Sequence, residues 1–132
     1  MKIIRHLDSE GKTAYAALQP DGRALVIEGC IFSEHTVTGR EAVITKHLAP
    51  IKPRAILCIG LNYKFHAEES GAAIPQNPVL FMKLPGTVQN PGDPILLPTH
   101  LKSEKVDYEC ELAVVIGKAA RNVSKEKALD YV

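Results

Sequence analysis

Acidic side chains alternate with other residues shortly before the last long apolar run of the chain. Asp107, Glu109 and Glu111 occupy every second position, so on a β-strand their side chains share one face. Neighbouring ionised carboxylates repel each other, and a shared site of low dielectric raises the pKa of one of them. Either water screens these charges on an exposed strand face, or a divalent cation such as Mg²⁺ neutralises them in a pocket. The pattern alone leaves both interpretations open.

A histidine and a glutamate form a second candidate pair. His66 and Glu69 are three residues apart, a spacing that places their side chains on one face of a helix. A carboxylate that holds an imidazole fixes its tautomer and raises its basicity, which suits a general base. The alternative is an ordinary surface ion pair on a short helix, which contributes little to stability.

The elements that position these residues are predicted from the apolar pattern. A continuous apolar run indicates a buried strand over 55–59, followed by a helix over about 62–70 that Asn62 caps and Gly71 follows. Residues 107–116 are predicted to form the longest strand, because the run 112–116 is typical of a strand buried on both faces. The carboxylates would then lie at the end of a core strand, with Cys110 pointing into the core.

Two further side chains are candidates for the same pocket. A strand predicted over 79–83 places Lys83 on the face that carries Val79 and Phe81. Its ammonium group either reaches the cavity or lies at the surface with its stem on apolar neighbours. Tyr63 either orients a substrate or belongs to the core. Both residues are retained as candidate substrate-binding residues.

The N-terminal part of the chain is predicted to be a separate β-rich unit. Turn signals separate strands over 3–5, 13–18 and 24–28, and a short helix is predicted over 39–48. Pro50 and Pro53 stiffen the connector that follows. We therefore predict an accessory domain at residues 1–49 and a catalytic domain at residues 50–132. The second domain would also contain a strand over 95–97 and a last helix over 125–132 with Ser124 at its cap.

Composition excludes several classes of protein. The 16 basic and 15 acidic residues give a net charge of +1, which argues against a nucleic-acid-binding protein that relies on bulk positive charge. No apolar run reaches the roughly 18 residues of a membrane span, so no membrane association is expected. The three cysteines lie far apart and form no CxxC motif. They are typical of reduced thiols, and we expect a cytoplasmic protein.

Several sequence blocks, taken in order, resemble the fumarylacetoacetate hydrolase family. The resemblance covers about residues 48–132, and residues before it resemble the variable N-terminal domain that many members carry. Five blocks carry most of it: CIGLNY at 58–63, HAEE at 66–69, PVLFMK at 78–83, DPILLP at 93–98 and DYECELAVVIGK at 107–118. The last residues, RNVS at 121–124 and ALDYV at 128–132, fit the same family.

The resemblance implies an α+β protein in which a small N-terminal domain precedes an incomplete, β-rich, mixed-sheet catalytic domain. It implies a homodimer with Mg²⁺ or Mn²⁺ that acts on small 2-oxo or 1,3-diketo acids by C–C bond hydrolysis, decarboxylation, isomerisation or hydration. Glu109 and Glu111 match the family's metal-binding glutamates, and His66 with Glu69 matches its water-activating dyad.

The family's third metal ligand, an aspartate, and a later catalytic lysine would lie beyond the equivalent of Val132. The sequence is therefore expected to be the front part of a family member. The alternative is a truncated or degenerate domain that folds or dimerises without turnover.

Overall fold

The computed structural model describes residues 1–132 and begins with a five-stranded antiparallel sheet. Its strands are β1 (Lys2–Leu7), β2 (Thr13–Leu18), β3 (Ala24–Gly29), β4 (His35–Glu41) and β5 (Lys46–Leu48). Their spatial order is β4-β3-β2-β1-β5. Pairing of Ile4 with Ala16 and of Ala16 with Val26 sets the central register. The three strands predicted over 3–5, 13–18 and 24–28 are confirmed, because short turns between them return the chain antiparallel.

The helix predicted over 39–48 is wrong. Residues in this region form β4 and β5, which lie at opposite edges of the sheet. Tertiary hydrogen bonds override the helical spacing: the backbone N–H of Thr45 donates to Leu7 O at 3.0 Å, and the Thr45 hydroxyl reaches Leu7 O and Asp8 O. Val43, which a helix would have buried, is 60% exposed.

A two-stranded antiparallel sheet and one helix follow the connector. The strands are β6 (Ile56–Gly60) and β7 (Val79–Lys83), and the helix between them is α1 (Lys64–Glu69). Both strands and the helix confirm the elements predicted for this region, but the predicted burial of the first strand is wrong, because no residue of β6 is buried and Leu57 is 62% exposed. The cap differs, because Tyr63 rather than Asn62 precedes the first helical residue and no side chain caps it. Gly71, at φ +66°, donates its N–H to Glu68 O as the chain leaves the helix.

Two strands predicted in the second half of the chain are absent. Residues 95–97 and 107–116 pair with no other segment, and a β-strand requires a neighbour for its backbone hydrogen bonds. The run 112–116 is exposed where burial was predicted, with Leu112 at 82%, and Cys110 is exposed as well. The last helix is a 3₁₀ helix over Lys125–Tyr131, preceded by Ser124 without a side-chain cap bond.

Few side chains lie in a closed core. Seven of the 132 residues are buried, six of them apolar: Ala16, Ala17, Ala24, Ile27, Ala49 and Ala67. The seventh is His6, whose Nε2 has no hydrogen-bond partner. The protein exposes 11,379 Å², whereas a compact monomer of this length exposes about 6,800 Å². Much apolar surface of the second half is therefore available to a partner surface.

Polar contacts join the edge of the first sheet to the turn after β7. Lys46 Nζ lies 2.7 Å and 2.9 Å from the two carboxylate oxygens of Asp93, and Asn90 Nδ2 donates to the same carboxylate at 2.9 Å. The Asn90 side-chain oxygen accepts from Ala49 N–H. These bonds hold β5 against residues 90–93. The domain boundary between residues 49 and 50 stays a prediction.

No helix of the protein is both long enough and apolar enough to span a bilayer.

Candidate functional site

The junction between β6 and α1 holds the first part of the candidate site. Leu61, directly after β6, adopts φ +49°, a left-handed conformation that costs a bulky residue about 1–2 kcal/mol. The turn at Leu61 leads the chain into α1, where the N–H of Ala67 donates to Tyr63 O at 3.2 Å. Ala67 is fully buried and anchors the helix. His66 lies beside this anchor on a helix that is fixed at its first turn.

His66 lies close to one of the predicted metal-binding glutamates. Its Nε2 is 4.0 Å from Oε1 of Glu109, and the two side chains are 51% and 61% exposed. This distance is too long for a hydrogen bond and leaves an electrostatic contact that water screens. The candidate base and a candidate metal ligand, 43 positions apart in the sequence, therefore face each other.

Glu69 does not hold His66 in this structure. Both residues lie on α1, as predicted, yet no hydrogen bond or ion pair joins their side chains. The carboxylate in reach of the imidazole is that of Glu109. The other acidic residue of the helix, Glu68, pairs with Lys64 at 3.5 Å. The role of Glu69 as the partner of His66 stays a prediction.

Tyr63 makes a contact that the sequence did not indicate. Its phenolic oxygen accepts a hydrogen bond from the backbone N–H of Leu112 at 2.7 Å. Leu112 follows Glu111 directly, so this bond ties the acidic segment, residues 107–112, to the start of α1. The donor is a backbone amide, which every residue except proline has. Residue types alone therefore could not predict this hydrogen bond.

The remaining candidates make no hydrogen bond or ion pair with this cluster. Lys83 ends β7 with its Nζ 5.9 Å from the centre of the Phe81 ring, a cation–π geometry. Glu111 is exposed and makes no hydrogen bond or ion pair. Neither residue forms a hydrogen bond or ion pair with His66 or Glu109, and their roles in metal and substrate binding stay predictions.

The donor chemistry fits a hard divalent cation only in part. Carboxylates such as Glu109 and Glu111 are ligands that Mg²⁺ and Mn²⁺ prefer. However, the structure contains no group of three or more His, Cys, Asp or Glu side chains arranged to hold a metal ion. The roles predicted for the two glutamates as metal ligands therefore stay predictions, and a complete ligand set would need donors beyond these two.

Comparison with models of known protein families shows to which family the chain belongs. The model of the fumarylacetoacetate (FAA) hydrolase C-terminal domain matches residues 55–132, which is more than half of the sequence. The chain belongs to the fumarylacetoacetate hydrolase family. The matched residues contain α1, the acidic segment and all of the candidate site residues, so the resemblance identified from the five sequence blocks is confirmed.

Named relatives and a solved structure agree with this family. Caffeoylpyruvate hydrolase of Neonothopanus nambi is 40% identical over 127 residues, covering 93% of this chain and 43% of that protein. The mitochondrial oxaloacetate tautomerase fahd2 of Xenopus laevis is 44% identical over 86 residues, covering 64% and 26%. The crystal structure of Cg1458 superposes with a TM-score of 0.75 at 33% identity, covering 96% and 48%.

The fold is thus strand-rich with few helices and matches that of a fumarylacetoacetate hydrolase relative. The chain spans less than half the length of these relatives. The family is one of enzymes, and relatives are named as a hydrolase and a tautomerase.

Proposed function

We propose that the protein belongs to a divalent-metal-dependent enzyme that acts on small 2-oxo or 1,3-diketo acids through an enolate. The observation that carries the proposal is the 4.0 Å separation between His66 Nε2 and Glu109 Oε1. It brings a candidate proton acceptor and a candidate metal carboxylate into one site. The names of the two relatives, for oxaloacetate and caffeoylpyruvate, support 2-oxo acids as the substrate class.

Each candidate residue has a separate task in this proposal. Glu109 and Glu111 supply anionic oxygens for Mg²⁺ or Mn²⁺, together with further ligands from outside this cluster. The cation supplies Lewis-acid stabilisation of enolate charge when it is bound. His66, on an anchored helix, accepts a proton at Nε2 from water or from the substrate carbon, and Glu69 orients the imidazole. Tyr63 and Lys83 are the proposed contacts to the substrate.

Hydrolysis, decarboxylation, isomerisation and hydration can all pass through the same enolate. A hydrolase needs a base that activates water, whereas a tautomerase needs a base that moves a proton between carbon and oxygen. His66 fits both tasks. The substrate class and the enolate are therefore common to the four reactions. The products that the enzyme forms in the assay identify which of them it catalyses.

The test is steady-state turnover of oxaloacetate and of an acylpyruvate, with Mg²⁺ or Mn²⁺, by the product of the complete gene. His66→Ala should lower turnover about 10²–10⁴-fold, the typical contribution of a general base. His47→Ala is the matched control, because His47 is an exposed residue of β5 whose side chain makes no hydrogen bond in the structure. Equal activity of the His66 variant and the control would refute the role of His66.

A second function has an observation in its favour. The absence of a three-residue ligand cluster favours a domain of this family that folds or associates without turnover. Residues 1–132 alone should then bind Mg²⁺ weakly in a calorimetric titration and turn over neither substrate. Tight binding with clear turnover by these residues would exclude this second function.

Association and location are proposed on separate grounds. We infer a homodimer, supported by the excess of exposed surface over that of a compact monomer. Sedimentation velocity tests this proposal. A cytoplasmic location rests on the three free cysteines and is tested by imaging the tagged protein in its cell of origin.

A further inference from the structure

We propose that Tyr63 is a positioning residue, which holds the acidic segment in place against α1. The proposal rests on the proposed function, because the acidic segment carries the two glutamates assigned to the metal. It differs from the substrate-binding role predicted for Tyr63, since here the side chain acts on the protein backbone. The observation that supports this positioning role is the hydrogen bond of 2.7 Å that Leu112 N–H donates to the Tyr63 phenolic oxygen.

The acidic segment has few other bonds to the rest of the protein. Residues 107–116 belong to no sheet, and Tyr108 N–H donates only locally, to Oδ1 of Asp107. The bond from Leu112 N–H to Tyr63 is the only hydrogen bond that joins residues 107–116 to another part of the chain. The second polar contact, between Glu109 and His66, is a screened one at 4.0 Å. Removal of the phenolic oxygen therefore removes the main directional restraint on this segment.

Tyr63 itself is well fixed. It precedes α1 with φ −108° and ψ 121°, and its carbonyl oxygen accepts the N–H of the fully buried Ala67. The left-handed Leu61 lies two residues before it, and residues held in such conformations are typical of functional sites that the surrounding structure over-determines. The backbone of Tyr63 is thus fixed at the start of α1, and the acidic segment is the partner that gains order from the bond.

The bond leaves the phenol free for a second contact. Tyr63 uses one acceptor lone pair for Leu112, while its own O–H hydrogen stays available. The side chain is 42% exposed, so a ligand or water can reach the oxygen. A single phenol can therefore position Glu109 and Glu111 and also meet a substrate oxygen.

The test compares Tyr63→Phe with Tyr108→Phe by ¹⁵N NMR of the protein. Both variants lose one phenolic oxygen, but Tyr108 is 86% exposed and its hydroxyl makes no hydrogen bond. In Tyr63→Phe the Leu112 amide should exchange with solvent about two- to tenfold faster, the range expected for one net hydrogen bond. The heteronuclear NOE of Glu109 should fall in the same variant. Tyr108→Phe should change neither quantity.

Unchanged Leu112 exchange and an unchanged Glu109 NOE in a folded Tyr63→Phe protein would overturn the proposal. Leu112→Pro removes the donor instead of the acceptor and should reproduce the loss of order at Glu109. It decides the matter if Tyr63→Phe does not fold, because an ordered Glu109 in Leu112→Pro also overturns the proposal.

A titration with Mn²⁺ separates this inference from the proposed function. Paramagnetic broadening of the His66 ring protons is expected in the wild type and should need at least twofold more Mn²⁺ in Tyr63→Phe. Absence of broadening in the wild type refutes metal binding by these residues. The exchange and NOE results still decide whether Tyr63 positions the acidic segment.

Discussion

The imidazole Nε2 of His66 lies 4.0 Å from Oε1 of Glu109. Helix α1 supplies the histidine and a segment without strand pairing supplies the glutamate. The two side chains are close enough for an electrostatic contact, which solvent screens because both are more than half exposed. If a cation draws Glu109 away, Glu69, three residues along the same helix, is the acidic group proposed to replace it beside the imidazole.

Substitution of Glu69 tests this division of roles. Glu69→Gln keeps the shape of the side chain and removes its charge, so His66 loses its proposed orienting partner. We expect turnover to fall by about tenfold, less than for His66→Ala, because an orienting group assists a general base without replacing it. The measurement is kcat and KM on oxaloacetate, with the loss expected in kcat.

The adjacent glutamate provides the control for that prediction. Glu68→Gln removes the partner of Lys64, an exposed residue of α1 whose Nζ lies 3.5 Å from the Glu68 carboxylate. It should leave kcat unchanged. If the two variants behave alike, Glu69 has no special relation to His66, and Glu109 is its only acidic neighbour in the working enzyme.

The contact between Lys46 and Asp93 predicts a dependence of stability on pH. Hydrogen bonds from Lys46 and then from Asn90 lower the pKa of Asp93 from its ordinary value of 3.8. A depressed carboxyl pKa means that the unfolded chain binds the proton more readily. The contribution of this group is therefore fully present above pH 3.8 and is lost as the pH falls through the lower pKa of the folded protein.

Thermal melts of Asp93→Asn against wild type, from pH 2 to pH 7, measure this contribution. The difference in Tm should be constant from about pH 5 to pH 7 and should shrink as the pH falls below 3.8. Asp130→Asn changes a carboxylate that makes no hydrogen bond or ion pair in the structure and should give a flat difference. A difference for Asp93→Asn that does not vary with pH would contradict the assigned cause.

Sequence patterns predicted correctly those elements that are stabilised by hydrogen bonds between residues close together in the chain. The turn at residues 8–11 is stabilised by the Asp8 carboxylate, which accepts from Glu10 N–H and Lys12 N–H, so the strands on either side could be located from the sequence. Residues 39–48 carry a helical spacing of apolar side chains, but Thr45 bonds to the end of β1. The spacing of apolar residues within ten positions contains no information about hydrogen bonds to residues elsewhere in the chain, and such tertiary bonds override helix propensity.

The candidate site likewise has features that the sequence predicted and features that it did not. The position of His66 and Glu69 on one helix follows from their spacing and is observed. The strand predicted over 107–116 failed because alternation reports a preference for a pleated surface and cannot supply a neighbouring strand. The contacts of Glu109 with His66 and of Leu112 with Tyr63 join segments more than 40 positions apart. Residue types alone do not specify such contacts.

The turn between β3 and β4 contains a cysteine that should react faster than an ordinary thiol. Hydrogen bonds from the backbone N–H of Phe32 and then from the Ser33 side chain lower the pKa of the exposed Cys30. Since the thiolate is the nucleophile, iodoacetamide at pH 7 should label Cys30 before the half-buried Cys58. Peptide mass spectrometry over time measures both rates, and faster labelling of Cys58 would contradict the prediction.

The same turn depends on a glycine. Gly29 has φ +99°, and a Cβ at this position would lie 2.6 Å from Glu34 O and 3.0 Å from His35 Cα. Both atoms belong to the backbone that closes the turn. Cys30 N–H donates a hydrogen bond to Glu34 O, and Gly29 lies opposite His35 in the pairing of β3 with β4. Gly29→Ala therefore combines a strained backbone with a clash and should lower the free energy of unfolding by about 2–3 kcal/mol.

Gly39→Ala is the control, because Gly39 lies in β4 without a positive φ and a Cβ there meets no atom within 4 Å. Alanine at such a position loses less chain entropy on folding than glycine, so stability should stay equal or rise by up to about 1 kcal/mol. Urea denaturation of both variants at pH 7 provides the comparison. Equal midpoints for the two alanine variants would mean that the turn adapts to the added methyl group, and that the approach of Glu34 to Gly29 does not fix the pairing of β3 with β4.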